Sequence, residues 1–285
     1  MMKTISTIDG ISYECTVRNS AAVESGMVIY PAEKLEGNVV IPSHVEIEGF
    51  LYPVTKIGYH AFAGMRIKSV VIPDTIVEID GSAFENCTEL VDVSLGKGLR
   101  RIGASAFAYC KWIRHFDMPE TVIEVGCNAL EGTRIVDMQE GAVYLGHVLY
   151  GYNGTLSEHS CIEVREGTTV IANSAFNCRF FLKDFKKLEV IVLPEGMKRI
   201  GDSAFLECKG LTHVNLPESL EYIGTSAFGY TGIREVTVPW REPIRLTTNP
   251  FDAHIVIKVP KGSMEIYSKS KDWGDSFRQY EFVEV

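Results

Sequence analysis

A segment of the type IGASAFAYC, at residues 102–110, returns along most of the chain at a nearly fixed interval, and this period constrains the fold more than any composition value. It reads IDGSAFENC at 79–87 and IGDSAFLEC at 200–208, with shorter copies IGYHAF at 57–62 and IGTSAF at 223–228. Weaker copies begin at Val125 and Ile171, so that successive starts lie 22, 23, 23, 46, 29 and 23 residues apart. The 46 is twice 23, which places one further coil between Val125 and Ile171. A chain built this way is an elongated array whose repeats each bury their apolar side against a neighbour.

Two periods coexist inside a repeat. Val93 and Leu95 alternate with Asp92 and Ser94, which predicts a strand with one buried face. Ala106, Phe107 and Cys110 follow a helical spacing, which predicts one or two helical turns on the opposite side of the coil. Pro73, Pro119, Pro194, Pro217 and Pro239 directly follow the strands, where a missing N–H stops the ladder.

The breaks in the period mark the remaining organisation. Residues 1–36 are expected to form an N-terminal cap, 37–239 the repeat body and 240–285 a C-terminal cap continuous with it. Within the body, an irregular coil at 139–161 carries a β-hairpin in VYLGHVLYGYNGT, with Tyr144, Tyr150 and Tyr152 as a contact surface or as cross-strand packing. An insertion at 179–187 places Phe181, Leu182 and Phe185 on one face of an elongated helix. At the C-terminal end a strand at 255–259 is followed by a short helix capped by Ser263, then by Trp273, Phe277 and Phe282.

Composition narrows the function. The 285 residues carry a net charge of −9 and no block of consecutive basic residues, which argues against nucleic acid as a partner. No apolar run reaches the length of about 18 residues that a membrane-spanning helix needs. The opening MMKTISTIDGISYE lacks the apolar stretch of a secretory leader. Seven cysteines fit poorly with complete pairing. Three of them, Cys87, Cys110 and Cys208, stand three residues after the repeat's Phe, as small core residues would, and are expected to be free thiols.

Motifs of nucleophile elbows, phosphate loops and zinc proteases are absent, and no cofactor or metal site is implied. His60, His147 and His159 read as surface residues, whereas His115 and His213 fall on equivalent strand positions. Strand geometry offers a sharper candidate, because residues between the buried ones project from the open face of the ladder. Among these, Asp92, His115, Asp117, Asp137, Glu163 and Arg165 form a mainly acidic stretch, and Val190, Val192, His213 and Asn215 an adjoining patch with apolar character. Ten strands at about 4.8 Å would make a ribbon of roughly 45 Å, long enough for a protein partner. The alternatives are an enzyme of the hydrolase type using His115 and Asp117, and a passive spacer.

LVDVSL at 90–95 and LTHVNL at 211–216 resemble the LxxLxL strand of leucine-rich repeats, and with the following proline and the IGxxAFxxC segment they resemble the bacterial BspA-like type. The resemblance spans residues 37–285. It implies an α/β repeat solenoid, wound right-handed, with a parallel strand ladder on one face, short helical turns on the other and capping segments at both ends. It further implies an adhesion module on the cell surface or secreted, with a host matrix or surface protein as partner; for the oligomeric state, which the sequence leaves open, a monomer is favoured. One departure stands out: where that family carries Asn or Cys after the strand, this chain has Thr75, Gly98, Thr121, Gly196 and Ser219. An internal asparagine ladder is therefore not available to bond the bend.

Overall fold

The computed structural model describes residues 2–8, 10–18, 22–23, 26–31, 34–177, 185–246, 248–252, 254–273 and 280–285. The chain divides into two compact units, Met1–Gln139 and Glu140–Val285. Both are strand-rich and built from parallel ladders, with little helix.

In the first unit, antiparallel strands Met2–Ile8, Ile11–Arg18 and Gly26–Pro31 lead into a parallel ladder. That ladder runs through Phe50–Ile57, Glu78–Ile79, Arg101–Ile102 and Glu124–Val125. His44–Ile47 folds back antiparallel on Phe50–Ile57. A second parallel ladder joins Glu36–Val40, Arg66–Val71 and Asp92–Ser94, with Asn38 opposite Ser69 and Ser69 opposite Asp92. Burial follows the predicted alternation, with Val70 and Ile72 inside and Val71 exposed between them.

The second unit repeats the scheme. The predicted hairpin is present as Gly141–Leu145 paired with Val148–Asn153, and the latter continues in parallel through Val170–Ile171, Arg199–Ile200, Tyr222–Ile223 and Arg245–Leu246. The other side carries two three-stranded parallel ladders, Ser160–Glu163 with Leu188–Val192 and His213–Val214, and Glu235–Thr237 with Val256–Val259 and Glu281–Glu284. The expected unbroken ribbon of ten strands is thus replaced by three-stranded ladders among the described residues.

The expected helical turns are also corrected. The IGASAFAYC segments are consecutive β-turns, and left-handed residues recur within them: Ser82, Ser105, Ser203 and Ser226 have φ of 52°, 55°, 54° and 50°, and Asn86, Tyr109, Glu207 and Tyr230 repeat this four residues later. A residue at positive φ cannot continue a right-handed helix. The backbone N–H groups instead alternate in direction. Ser105, Phe107 and Tyr109 donate to the carbonyl oxygens of Cys127, Ala129 and Glu131 in the next coil at 3.0, 2.7 and 2.6 Å, while Ala106, Ala108 and Cys110 donate within their own turns. Within each unit, neighbouring coils are therefore stitched along a further line of hydrogen bonds that residue spacing alone does not reveal.

This stitching brings backbones so close that side chains are excluded at particular points. A Cβ on Gly103 would lie 2.5 Å from the Gly81 nitrogen, and one on Gly126 would lie 2.4 Å from the Ala104 nitrogen. Inside the turns, Phe62, Phe84 and Phe107 stack at 5.0 Å between ring centroids, tilted by only 8° and 4°. Phe176, Phe205, Phe228 and Phe251 form the corresponding column at 5.1 to 5.2 Å. Burying one such ring stabilises by about 1.5–3 kcal/mol, so these columns are the main apolar spine of each unit.

Hydroxyls take over the missing asparagine ladder. Thr121 Oγ1 donates to the Leu99 and Lys97 carbonyls at 2.7 and 2.8 Å in the preceding coil, Thr75 Oγ1 to Ser43 O at 3.2 Å, and Ser219 Oγ to Met197 O at 2.9 Å while accepting from Gly196 N at 2.8 Å.

At the C-terminal end the helix is Met264–Lys269, but the Ser263 hydroxyl does not cap it. Glu284 does, its Oε1 accepting from Gly262 N and Met264 N at 3.0 Å each, which ties the last strand to the helix start. Trp273 is buried and donates its indole N–H to Ile244 O at 2.8 Å. Phe277 lies outside the described residues.

Candidate functional site

On the ladder of the second unit, residue pairing sets which side chains face outward together. Glu163 stands opposite Val192, Cys161 opposite Val190, and Val190 opposite His213. Glu163, Val192 and His213 are exposed, and Val190 is partly so. The outward residues of this strand are thus Cys161 and Glu163, not Glu163 and Arg165, because Arg165 lies two residues past the strand's end. Arg165 instead grips the hairpin: its Nη2 donates to Gly146 O at 2.6 Å, its backbone N–H to Tyr144 Oη at 3.0 Å, and its guanidinium lies 4.3 Å from the centre of the Tyr144 ring.

The patch ends in an open trough of about 670 Å³ between the His213–Val214 and Glu235–Thr237 strands. Each belongs to a different ladder, and no hydrogen bond joins them among the described residues. His213 and Asn215 line one wall, Arg234, Glu235 and Thr237 the other. Asn215 plays a different part from the contact role expected of it. Its side chain bonds both backbone groups of Leu193, so the amide is committed to the ladder. His213 Nδ1 contacts the Thr212 hydroxyl at 2.8 Å, and Glu235 is paired with Lys258 at 2.7 Å.

In the first unit the acidic stretch is only partly gathered. Asp92 is exposed on the Asp92–Ser94 strand beside a second hollow of about 600 Å³, bordered by Trp112. His115 and Asp117 are exposed but lie on an extended run outside any ladder. Asp137 is corrected outright: it ends a one-turn helix, Arg134–Asp137, because its N–H is taken by Thr133 O at 3.0 Å instead of by a neighbouring strand. Among the described residues, no side-chain bond joins His115 or Asp117 to a third group.

The hairpin aromatics face inward. Tyr150 is 6% exposed, which withdraws it from the contact surface proposed for it. Tyr152 is half-buried, with its ring 6.2 Å from Phe185 and 6.4 Å from Phe176, and Tyr144 is half-buried under Arg165. His147 is 5% exposed, not a surface residue, because its turn is held on the next coil by Thr169 N at 2.9 Å. In the insertion, Phe185 begins the single 3-10 turn Phe185–Lys187 and is buried against Phe176; Phe181 and Leu182 lie outside the described residues, as does Cys178.

Two features of the coils' other side are structural. Lys56 Nζ contacts Glu78 at 3.2 Å and Asp80 at 2.8 Å, and Arg101 Nη2 contacts Glu78 at 2.8 Å. The thiols of Cys87, Cys110 and Cys208 donate to Phe62 O, Phe84 O and Phe176 O at 3.0 to 3.1 Å. Contact with Cys87, then burial, pushes the Cys110 thiol well above the usual range. The cysteines with described side chains, these three with Cys127 and Cys161, are all free. Among the described residues no cluster of His, Cys, Asp or Glu is placed to hold a metal ion, and no helix is long and apolar enough to cross a membrane.

Sequence reasoning missed Cys161 by a two-residue slip in register, and it missed Trp112. The signal for Trp112 was present, since a large aromatic stands there where the neighbouring repeats have Glu89 and Gly210.

Comparison with known proteins adds the following. A family model described as a BspA type leucine rich repeat region matches residues 43–141 and 156–258, with six copies. A leucine-rich repeat protein from Bacteroides ovatus is 22% identical, over 98% of this chain and 76% of that one, with a TM-score of 0.44. A leucine rich cell surface protein from Faecalibacterium prausnitzii is 17% identical, over 99% and 95%, with a TM-score of 0.40. A leucine-rich repeat protein from Bacteroides capillosus is 29% identical over 45% of this chain and 96% of that one, with a TM-score of 0.39. Comparison with curated protein sequences finds no match.

Proposed function

The chain belongs to the BspA-type leucine-rich repeat family, and from that premise we propose that it is a non-catalytic protein-binding module whose contact surface is the outward side of its parallel ladders. Leucine-rich repeats typically mediate protein binding and are generally non-catalytic. The observation that supports the reading is a pair of adjoining rows, Glu163 with Val192 and Cys161 with Val190 and His213, whose exposed members stand on neighbouring strands beside an open trough. A charged group beside an apolar group, with an imidazole in the adjoining row, suits a mixed partner surface, where apolar contact supplies affinity and charge supplies orientation. A rigid stack of coils holds such a row in place without the ordering cost of a loop.

The finer parts of the reading extend the same proposal. They are adhesion at the cell surface or in secreted form, a host matrix or surface protein as partner, a monomeric chain, right-handed winding, and capping roles for residues 1–36 and 240–285 around a repeat body at 37–239. Family resemblance carries these. Photo-crosslinking tests the contact surface. A benzophenone side chain placed at Val192 should trap the bound partner, and one placed at Tyr109 on the turn side should not. Trapping at Tyr109 alone would move the contact surface to the turns.

A further inference from the structure

Trp112 is the one tryptophan that the fold does not consume. Its indole is 49% exposed, whereas Trp240 and Trp273 are 8% and 0% exposed. It lines the hollow of about 600 Å³ on the first unit together with Val91, Ser69, Asp92, Lys68, Asn38 and Glu89. Val91 is itself exposed.

The polar groups around the indole are arranged but unsatisfied. Ser69 Oγ donates to Asn38 Oδ1 at 2.8 Å, which fixes the amide and leaves its N–H₂ free to donate. Arg66 Nε holds Glu89 Oε1 at 2.7 Å and leaves the second carboxylate oxygen open. Asp92, Lys68 and the indole N–H have no protein partner among the described residues. The hollow thus offers one flat apolar face, at least two donors and at least two acceptors.

Charge decides among ligand classes. Arg66, outside the lining, holds Glu89 and also feels Glu36, so the charges left to a ligand in the hollow are Lys68 and Asp92, one of each sign. A lysine or arginine side chain would bring a second positive charge into the hollow that Lys68 lines. A purely apolar ligand would cover Asp92 and Lys68 without replacing their water, at a cost in desolvation. What satisfies both the indole and the polar rim is a small neutral molecule with a C–H face and a border of hydroxyls, each of which donates and accepts.

We propose that this hollow is a carbohydrate site that takes a neutral pyranoside, its C–H face stacked on Trp112 and its hydroxyls meeting Asp92, Lys68 and the Asn38 amide. The site does not depend on the protein-binding reading of the second unit. A sugar held here would give the module a second class of ligand, the glycan of a glycoprotein or of a surface polysaccharide.

Because the other two tryptophans are buried, acrylamide quenching of the full chain reports mainly on Trp112. Methyl glycosides of glucose, galactose, mannose and N-acetylglucosamine serve as probes, with N-acetylarginine amide and methyl glucuronide as charged controls. At least one neutral glycoside should protect Trp112 saturably in the millimolar range, as expected for a ligand with few contacts. In saturation-transfer NMR the same glycoside should show its ring C–H protons against the protein. Trp112→Ala should abolish the transfer, Asp92→Asn should weaken binding by at least about fivefold, and Trp112→Phe should retain part of it. The melting temperature should stay within about 2 °C for all three, since an exposed side chain contributes little to folding. No saturable response from any neutral glycoside up to about 50 mM, far above that range, would overturn the proposal. So would transfer that survives Trp112→Ala, or saturation by the arginine amide alone.

Discussion

Asn215 bonds both backbone groups of Leu193: its Oδ1 accepts the Leu193 N–H at 2.7 Å and its Nδ2 donates to the Leu193 carbonyl at 2.9 Å. In the first unit the matching bond is made by main chain alone, from Ile72 N to Ser94 O at 2.9 Å. The side-chain amide therefore stands in for a strand segment and closes the ladder where the trough begins. Asn215→Ala should lower the free energy of unfolding in urea by about 1–2 kcal/mol. Asn215→Asp should cost at least as much, because a carboxylate cannot donate to Leu193 O. Unchanged stability in both variants would show that solvent satisfies Leu193 equally well.

The turn stitching makes opposite predictions for two neighbours. Gly103→Ala places a Cβ against the Gly81 backbone and should destabilise by at least about 2 kcal/mol, an overpacking effect with no soft side chain to give way. Ser105→Gly should be neutral or stabilising by up to about 1 kcal/mol, since relief of a left-handed residue offsets the added freedom of the unfolded chain. Thermal unfolding of the two variants side by side checks the pair.

Thr121→Val keeps the side chain's shape and removes its hydroxyl from the Lys97 and Leu99 carbonyls. A loss of about 1–2 kcal/mol is expected in chemical denaturation. Ser219→Ala should behave alike in the second unit, where it frees Met197 O and Gly196 N.

Acid should act through Glu78 and Asp80. Burial alone would raise both carboxyls, but hydrogen bonds from Arg101 and Lys56 to Glu78, and from Lys56 to Asp80, outweigh it and hold both below their ordinary values of 4.5 and 3.8. The unfolded chain then binds more protons than the folded one. The stability these groups add is fully present above the unfolded values and is lost as pH falls through the lowered folded ones. The urea midpoint should drop between about pH 5.5 and about pH 3, and Glu78→Gln with Asp80→Asn should shrink that drop. An equal drop in the double variant would remove these two groups from the account.

Much of the fold was legible because its signals are local. The strand alternation of Val93, the hairpin around Gly146 and the buried Phe107 and Cys110 all announce themselves by spacing. The turns were not, because Ala106, Phe107 and Cys110 face inward in a helix and in these β-turns alike, and only the cross-coil bonds of Ser105, Phe107 and Tyr109 choose between them. The candidate face was half legible. Val190, Val192 and His213 follow from alternation within a strand, while Arg165 in place of Cys161 reflects a slip of two residues that leaves the facing pattern unchanged. Asp137 was lost to a helical turn whose bonds are satisfied within the segment, and Tyr150 to packing under the hairpin.

The claim that the ladder face binds protein is tested most directly by measuring the affinity of the purified 285-residue chain for a panel of immobilised matrix glycoproteins and collagens. Wild type, Glu163→Lys with Val192→Asp on the ladder, and Tyr109→Ala on the turn side are compared at equal concentration. At least one panel member should bind wild type and the Tyr109 variant alike, and should bind the ladder variant at least about tenfold more weakly, a loss of about 1.4 kcal/mol, with the melting temperature unchanged. Equal binding by the ladder variant, or binding to no member of the panel, would contradict the assignment of this face to a matrix partner.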